Sequence, residues 1–251
     1  MKAVLISDTH EMERKMAPLP KGDMLIHCGD FTGHGSIAAM SKFAQWMGSQ
    51  DFKHKLIISG NHEKGMQHLK HDAAVEILTE NGLTYLQDSS VEIDGLVFYG
   101  SPWSPFFFDW EWNLPRGEAL AEKWKLIPSN VNVLITHSPP YGILDFVPRG
   151  YGYQEHAGCE ELAKRVKELP NLRLNVFGHL HTCGGQTMEQ DGVLFCNAAI
   201  CTEDYRPTNL PIEVELTAEK AFALKRESDF IAPDPEGPQP RPSFKSKKEN
   251  E

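Results

Sequence analysis

The stretch Lys2-Ala-Val-Leu-Ile-Ser-Asp8-Thr-His10 decides how the rest of the chain is read. Ala3–Ile6 is a short apolar run containing β-branched residues, which reads as a buried strand. It ends on Asp8 and His10, two side chains that a core does not welcome. The same sentence recurs along the chain. Met24–His27 runs into Gly29-Asp30, and Leu56–Ile58 into Gly60-Asn61-His62-Glu63. Val131–Thr136 runs into His137, and Leu172–Phe177 into Gly178-His179-Leu180-His181. Further strands are expected at Val91–Ile93, Leu96–Tyr99, Val193–Cys196 and Ile212–Leu216, with a hairpin across Asp94-Gly95.

Helices are expected between strands. Ile37, Met40, Ala44 and Met47 repeat at helical spacing behind Ser36, a good N-cap. Cys159, Leu162, Val166 and Leu169 repeat likewise and stop at Pro170. Strand and helix in alternation give an α/β domain. In such domains ligands bind at the carboxyl ends of strands, so polar residues scattered in sequence should converge in space.

A chain of 251 residues with 40% hydrophobic and 24% charged residues fits one large domain, expected over 1–230. Net charge −10 argues against long nucleic acid as a partner. Five cysteines without paired spacing point to reduced thiols and a cytoplasmic protein. Met1 leads at once into the first strand, leaving no room for a signal peptide, and no apolar run is long enough to span a membrane. From about Ile231 the chain carries five prolines and then Lys245, Lys247 and Lys248, so 231–251 reads as a disordered tail. Oligomeric state is open between monomer and homodimer. Ser101–Pro115 holds Trp103, Phe106, Phe107, Phe108, Trp110 and Trp112 without periodicity, and is expected to form a long ordered loop. Its rings either pack over the edge of the sheets or stack on a nucleobase.

A single Asp or His after a strand is usually a turn residue. Five segments that each deliver Asp, Asn or His call for another explanation. Turn chemistry would accept Ser or Gly equally well. Carboxylates and imidazoles are what borderline divalent ions bind, and a carboxylate can bridge two of them.

The order D-x-H, G-D, G-N-H-E, H, G-H-x-H resembles the calcineurin-like metallophosphoesterases over Met1 to Leu216. Gly22–Thr32, Tyr85–Ser90, Tyr99–Pro105, Asn113–Gly117, Leu126–Pro128, Thr136–Pro140 and Thr202–Pro211 further resemble the fetal-brain-type metallophosphoesterase-domain proteins and their bacterial relatives, class III cyclic-nucleotide phosphodiesterases. The resemblance implies a four-layer αββα sandwich of two mixed sheets. It implies that Asp8, His10 and His181 hold one metal, that Asn61, His137 and His179 hold a second, and that Asp30 bridges them. Vertebrate fetal-brain-type proteins can carry Gly where this chain has His179, so a complete site is expected here. The implied reaction is hydrolysis of a small phosphodiester or nucleotide by in-line attack of a metal-bridging hydroxide, with His62 as general acid. The ligand set suits Mn, Fe, Zn, Co or Ni better than Mg or Ca. A broad phosphomonoesterase is the rival reaction, and a non-catalytic scaffold would be expected to lack ligands that this chain keeps.

One departure stands out. Related phosphatases read G-D-x-x-D-R-G after the bridging Asp, whereas this chain reads Gly29-Asp30-Phe31-Thr32-Gly33-His34-Gly35. The carboxylate that orients the catalytic histidine is replaced by Gly33, and the phosphate-binding arginine by His34. That speaks against a protein phosphatase and leaves open what orients His62. His34, His156 and Arg116 are the remaining candidates to touch substrate. The stronger reading of His156 is a helix-start residue, and that of Arg116 a solvated surface arginine.

Overall fold

The computed structural model describes residues 1–150 and 153–224. The expected tail at 231–251 lies outside the described residues. Two six-stranded mixed sheets dominate. The first has the order β16 (Ala221–Leu224), β15 (Ile212–Leu216), β1 (Lys2–Ile6), β2 (Met24–His27), β3 (His54–Ile57), β4 (Thr84–Tyr85). The second has the order β13 (Thr187–Gln190), β14 (Val193–Asn197), β12 (Leu174–Phe177), β9 (Val133–Thr136), β6 (Leu96–Ser101), β5 (Ser89–Ile93). Two small ladders complete the list, β7 (Ser104–Pro105) with β8 (Asn113–Leu114) and β10 (Phe146–Gly150) with β11 (Tyr153–His156).

Period-two alternation within β1 explains the layering. Ala3 and Leu5 join Met24, Ile26 and Leu56 against Phe98, Val133, Ile135, Leu174 and Val176 of the other sheet. Val4 and Ile6 point the other way, into the cluster that holds Met40, Phe43, Ala44 and Met47 of α1 (Ile37–Gly48). Leu134 and Phe177 turn outward in the same manner, into the cluster with Leu120 and Trp124 of α3 (Glu118–Lys125) and Leu162 and Val166 of α4 (Glu160–Lys167). With α2 (His71–Glu80) packed on α1, the result is helix, sheet, sheet, helix, as the resemblance implied. Every β1 side chain after Lys2 is fully buried, so Leu5→Ala should cost about 2–5 kcal/mol.

Local signals act as expected where they are strong. Ser36 caps α1 by accepting from the Ala39 N–H at 3.1 Å, a cap worth about 1 kcal/mol. Asp94 and Gly95 sit at φ 50° and 79°, the left-handed pair that a two-residue hairpin turn requires. Several strands begin or end elsewhere than expected. β9 starts at Val133 and β12 at Leu174, because Val131 and Leu172 pack in the core from the approach to the strand rather than from the ladder. The helices α2 and α3, the strands β13 and β16 and the β10–β11 hairpin are not legible as such from the sequence.

Parallel pairing of β1 with β2 and of β2 with β3 points three carboxyl ends the same way. Parallel pairing of β9 with β12 and of β12 with β14 does the same in the second sheet. An isolated parallel bridge, Ser7 with Ala199, ties the two sheets at that edge. The five polar segments therefore meet along one seam.

Candidate metal centre

Four of the seven expected ligands leave their strands on a backbone that ordinary residues avoid. Asp8, His10, Asp30 and His179 lie at φ 52°, 44°, 56° and 64°. Left-handed geometry at four non-glycine positions in one place costs free energy and marks a functional site. The turns are held open by cross-strand bonds. Asp8 N–H donates to the Gly29 carbonyl at 2.9 Å and His10 N–H to that of Asp30 at 3.0 Å. Gly178 is glycine because a Cβ there would overlap the Asp8 carboxylate, which accepts from the next amide, His179 N–H, at 2.9 Å.

The side chains converge in three overlapping groups, one of them His10, Asp30 and His62. Asp8, His10 and His181 bring ligand atoms within 4.8 Å of one another, and so do Asp30, His137 and His179. His10 Nε2 lies 3.2 Å from His181 Nε2 and 3.9 Å from Asp30 Oδ2. His137 Nε2 lies 3.4 Å from the same Asp30 oxygen and 2.9 Å from Asn61 Oδ1. Asp30 thus belongs to two of the three groups.

Tautomers follow from what lies behind each ring. His181 Nδ1 is 2.9 Å from the Thr202 carbonyl and His137 Nδ1 is 2.9 Å from the Cys28 carbonyl. A carbonyl only accepts, so both Nδ1 atoms carry a proton, and when the rings are neutral both Nε2 atoms turn lone pairs to the centre. The His137 lone pair therefore faces the Asn61 oxygen and the Asp30 carboxylate, acceptor against acceptor. A metal cation between them satisfies that geometry. Without a metal a proton takes its place: burial alone would lower the His137 pKa, but the charge and hydrogen bond of Asp30 raise it to about 9. Burial holds His10 and His179 down to about 3, so they stay neutral and able to ligate. Burial also works against the Asp8 carboxylate, yet the hydrogen bond and charge of His181 bring its pKa well below the usual range. Asp30 shows the same balance, with His137 and His62 outweighing burial. Nitrogen lone pairs, two anionic carboxylates and an amide oxygen are a donor set that fits borderline divalent ions.

His62 lies at the edge of the centre, its Nε2 3.9 Å from Asp30 Oδ2. Its Nδ1 is 2.7 Å from the Gly33 carbonyl. The main chain of Gly33 thus occupies the role left vacant by the missing carboxylate. Glu63 follows in a turn rather than on extended chain, and its carboxylate is engaged away from His62. Fully buried, it accepts from the N–H groups of Asp30, Gly60 and Thr32 and from the Thr32 hydroxyl, pinning the bridging loop to the His62 loop. Burial and the neighbouring Asp30 push it up to about 8 against the pull of those donors. His27, assigned nothing from sequence, accepts from Gly29 N–H through Nδ1 and so donates from Nε2 to Thr9 Oγ1 at 3.0 Å.

The family model for calcineurin-like phosphoesterases matches residues 1–183. The chain belongs to that family. Human metallophosphoesterase domain-containing protein 1 is 41% identical over 233 residues, covering 85% of this chain and 70% of that one. A UPF0046 protein of Caenorhabditis elegans is 40% identical, covering 84% and 74%. A crystal structure of a Thermus thermophilus protein shares the fold with a TM-score of 0.58 at 12% identity, over 88% of this chain and 97% of that one.

Within this phosphoesterase the three substrate candidates separate. The His34 ring lies 6.2 Å from that of His62, so it borders the centre. Arg116 is engaged at the protein surface. Its fork binds the Gly158 carbonyl at 2.7 Å, the Ala157 carbonyl at 2.8 Å and Glu160, which ties the start of α3 to the start of α4. His156 is engaged by buried Asp145, Nδ1 to Oδ1 at 2.6 Å, and packs against Tyr141 and Phe146. The aromatic loop divides. Trp103 and Trp112 are buried and meet edge to face at 5.3 Å, anchoring it in the core. Phe107 reaches the His179 ring at 6.3 Å and Trp110 stacks on His62 at 4.2 Å. Tyr205, missed from sequence, borders His10 at 4.8 Å and His181 at 5.5 Å. All five cysteines are free and buried, and no helix among the described residues is long and apolar enough to cross a membrane.

Proposed function

We propose that the chain is a dinuclear metal-dependent phosphodiesterase acting on small diesters, cyclic nucleotides among them, in the cytoplasm. The observation that carries this reading is Asp30, whose carboxylate lies near His10 of the Asp8–His10–His181 group and near His137 of its own group with His179. Asp8, His10 and His181 would hold one ion, Asn61, His137 and His179 the other, with Asp30 common to both. Two bound ions of the Mn, Fe, Zn, Co or Ni type supply polarisation of the phosphoryl oxygens and an activated water. The chain's own residues do the rest. Gly33, Cys28 and Thr202 carbonyls fix imidazole tautomers, and His62 Nε2 is the position from which a proton reaches the leaving oxygen.

Charge favours a diester over a monoester. A monoester dianion asks for an extra cation, as the arginine of related phosphatases provides. Here His34 stands in that place, Arg116 is committed elsewhere, and Lys64 Nζ sits over the Trp110 ring at 4.1 Å. Phe107 and Tyr205 supply apolar edges that suit a nucleobase.

The test pairs metal content with rate. Metal analysis of the reconstituted protein should approach two ions per chain, and bis-4-nitrophenyl phosphate should be hydrolysed faster than 4-nitrophenyl phosphate. Saturation at one ion with full activity would overturn the dinuclear reading. A faster monoester would overturn the diester preference.

A further inference from the structure

We propose that Trp110 is the positioning residue that fixes the plane of the His62 ring. This inference rests on the reading of His62 as general acid and adds how its ring is aimed.

One hydrogen bond from Nδ1 to the Gly33 carbonyl sets the tautomer and one point of the ring. It does not set the tilt of the ring about that bond. A carbonyl offers one acceptor atom where the carboxylate of related phosphatases offers two, so the tilt needs another restraint here. Trp110 supplies a flat one. Its ring lies 4.2 Å from that of His62 at an interplanar angle of 26°, a stacked contact. The His10 ring meets His62 edge-on at 4.6 Å and 74°. His62 is thus confined by a point, a face and an edge, and its Nε2 is left toward Asp30.

A restraint works only if it is itself fixed. Trp110 lies in the segment between β7 and β8, whose ladder pairs Ser104 with Asn113 and Pro105 with Leu114. Buried Trp112 anchors the same segment, and its main-chain N–H donates to Gln67 Oε1 at 3.2 Å. Lys64 Nζ lies over the Trp110 ring, and the His34 ring runs parallel to it within 8° at 6.2 Å. The loop therefore presents a held ring to His62. A misplacement of about 1 Å in a proton donor can cost up to about 10²-fold in rate, so the contact is large enough to matter.

The experiment uses the metal-loaded full chain and two diesters that differ only in leaving group, ethyl phenyl phosphate and ethyl 4-nitrophenyl phosphate. Trp110→Ala should lower kcat for the phenyl ester about 10-fold or more, leave KM within about 2-fold, and spare the nitrophenyl ester. Trp110→Phe, which keeps a flat face, should restore most of the loss, and Trp110→Leu, which keeps bulk alone, should not. Both metals should remain bound in all three. If Trp110→Ala does not fold, Trp110→Leu against Trp110→Phe carries the same comparison. The deciding arm is the double variant. In a His62→Ala background Trp110→Ala should have no further effect, because it acts through that ring. An equal additional loss there, or a change confined to KM, would overturn the inference and make Trp110 a substrate contact. If His62→Ala alone slowed both esters equally, the acid role itself would fall, and this inference with it.

Discussion

The metal centre and the aromatic rim beside it are built on opposite plans. Every expected ligand in the centre is buried or half-buried at a strand end, and the rings of His137 and His181 are tied from behind to main-chain carbonyls. The rim is carried by one loop and one turn, with Phe107 48% and Tyr205 41% exposed. In the centre the backbone of two sheets dictates position, and residue type is dictated by what a cation binds. At Phe107 and Tyr205 neither constraint acts, and a ring needs only to be apolar and near, whereas Trp110 of the same loop belongs with the centre. The comparison teaches that chemistry and selectivity are separable here, and mutations can pull them apart.

The largest effect should come from Asp30. Asp30→Ala removes the carboxylate shared by both groups and should take activity to background with every ester, with metal content falling on the same samples. Activity retained with full metal content would break the picture of a shared bridge. His62→Ala should come next, lowering kcat about 10²–10⁴-fold for an alkyl diester while both metals stay bound. The loss should be smaller for a nitrophenyl ester, whose leaving group departs without a proton. His179→Ala should instead reduce metal content and slow both esters alike.

Rim variants should act on binding. An aromatic contact is worth about 0.5–1.5 kcal/mol, so Phe107→Ala and Tyr205→Ala should raise KM for a cyclic nucleotide about 2–10-fold, with kcat nearly unchanged. The same variants should barely affect a small diester that has no base. An equal loss of kcat with both substrates would place these rings in the centre, and the division between the two regions would fail.

The convergence of the five Asp-, Asn- and His-bearing segments is legible because strand ends are recognisable from short apolar runs and ligand chemistry admits few residue types, whereas the set of seven ligands comes from the family resemblance. What is not legible has physical reasons. The partner of His62 is a Gly33 carbonyl, and a main-chain atom has no signature in a sequence. Trp110 meets His62 only because the Ser104–Asn113 ladder folds an aperiodic loop back. α2 buries only Ala74 and Leu78 and begins at Lys70 without a side-chain cap, so its periodicity is faint. Arg116 shows the limit of charge as a signal. A guanidinium that binds phosphate and one that binds carbonyls read the same until the carbonyls are placed.

The smallest effect concerns stability rather than rate, and it tests whether the support under the centre is as dry as its packing implies. His27 lies beneath the Asp8–His10 turn with no exposed surface. Burial lowers its pKa to about 3, against the weaker upward pull of the Asp8 and Asp30 charges. Because the folded pKa is depressed, the neutral ring contributes stability that is fully present above the unfolded value of about 6.5 and is lost as pH falls from there toward 3. Well below pH 6.5 the loss should approach about 1.4 kcal/mol per pH unit for this one proton. His27→Gln keeps a donor for the Thr9 hydroxyl but cannot also serve Gly29 N–H, so at pH 7.5 it should be less stable by about 1 kcal/mol. It has no proton to take up, so its stability should fall less steeply in acid. Urea unfolding of the metal-loaded proteins between pH 5 and 7.5 should therefore give two curves that converge as pH falls. Protonation of His10 and His179 affects both proteins alike and cancels in the difference. Parallel curves would mean that the His27 pKa is the same folded and unfolded, so that the ring is already wet and the seam beneath the first ligand loop is solvated rather than packed.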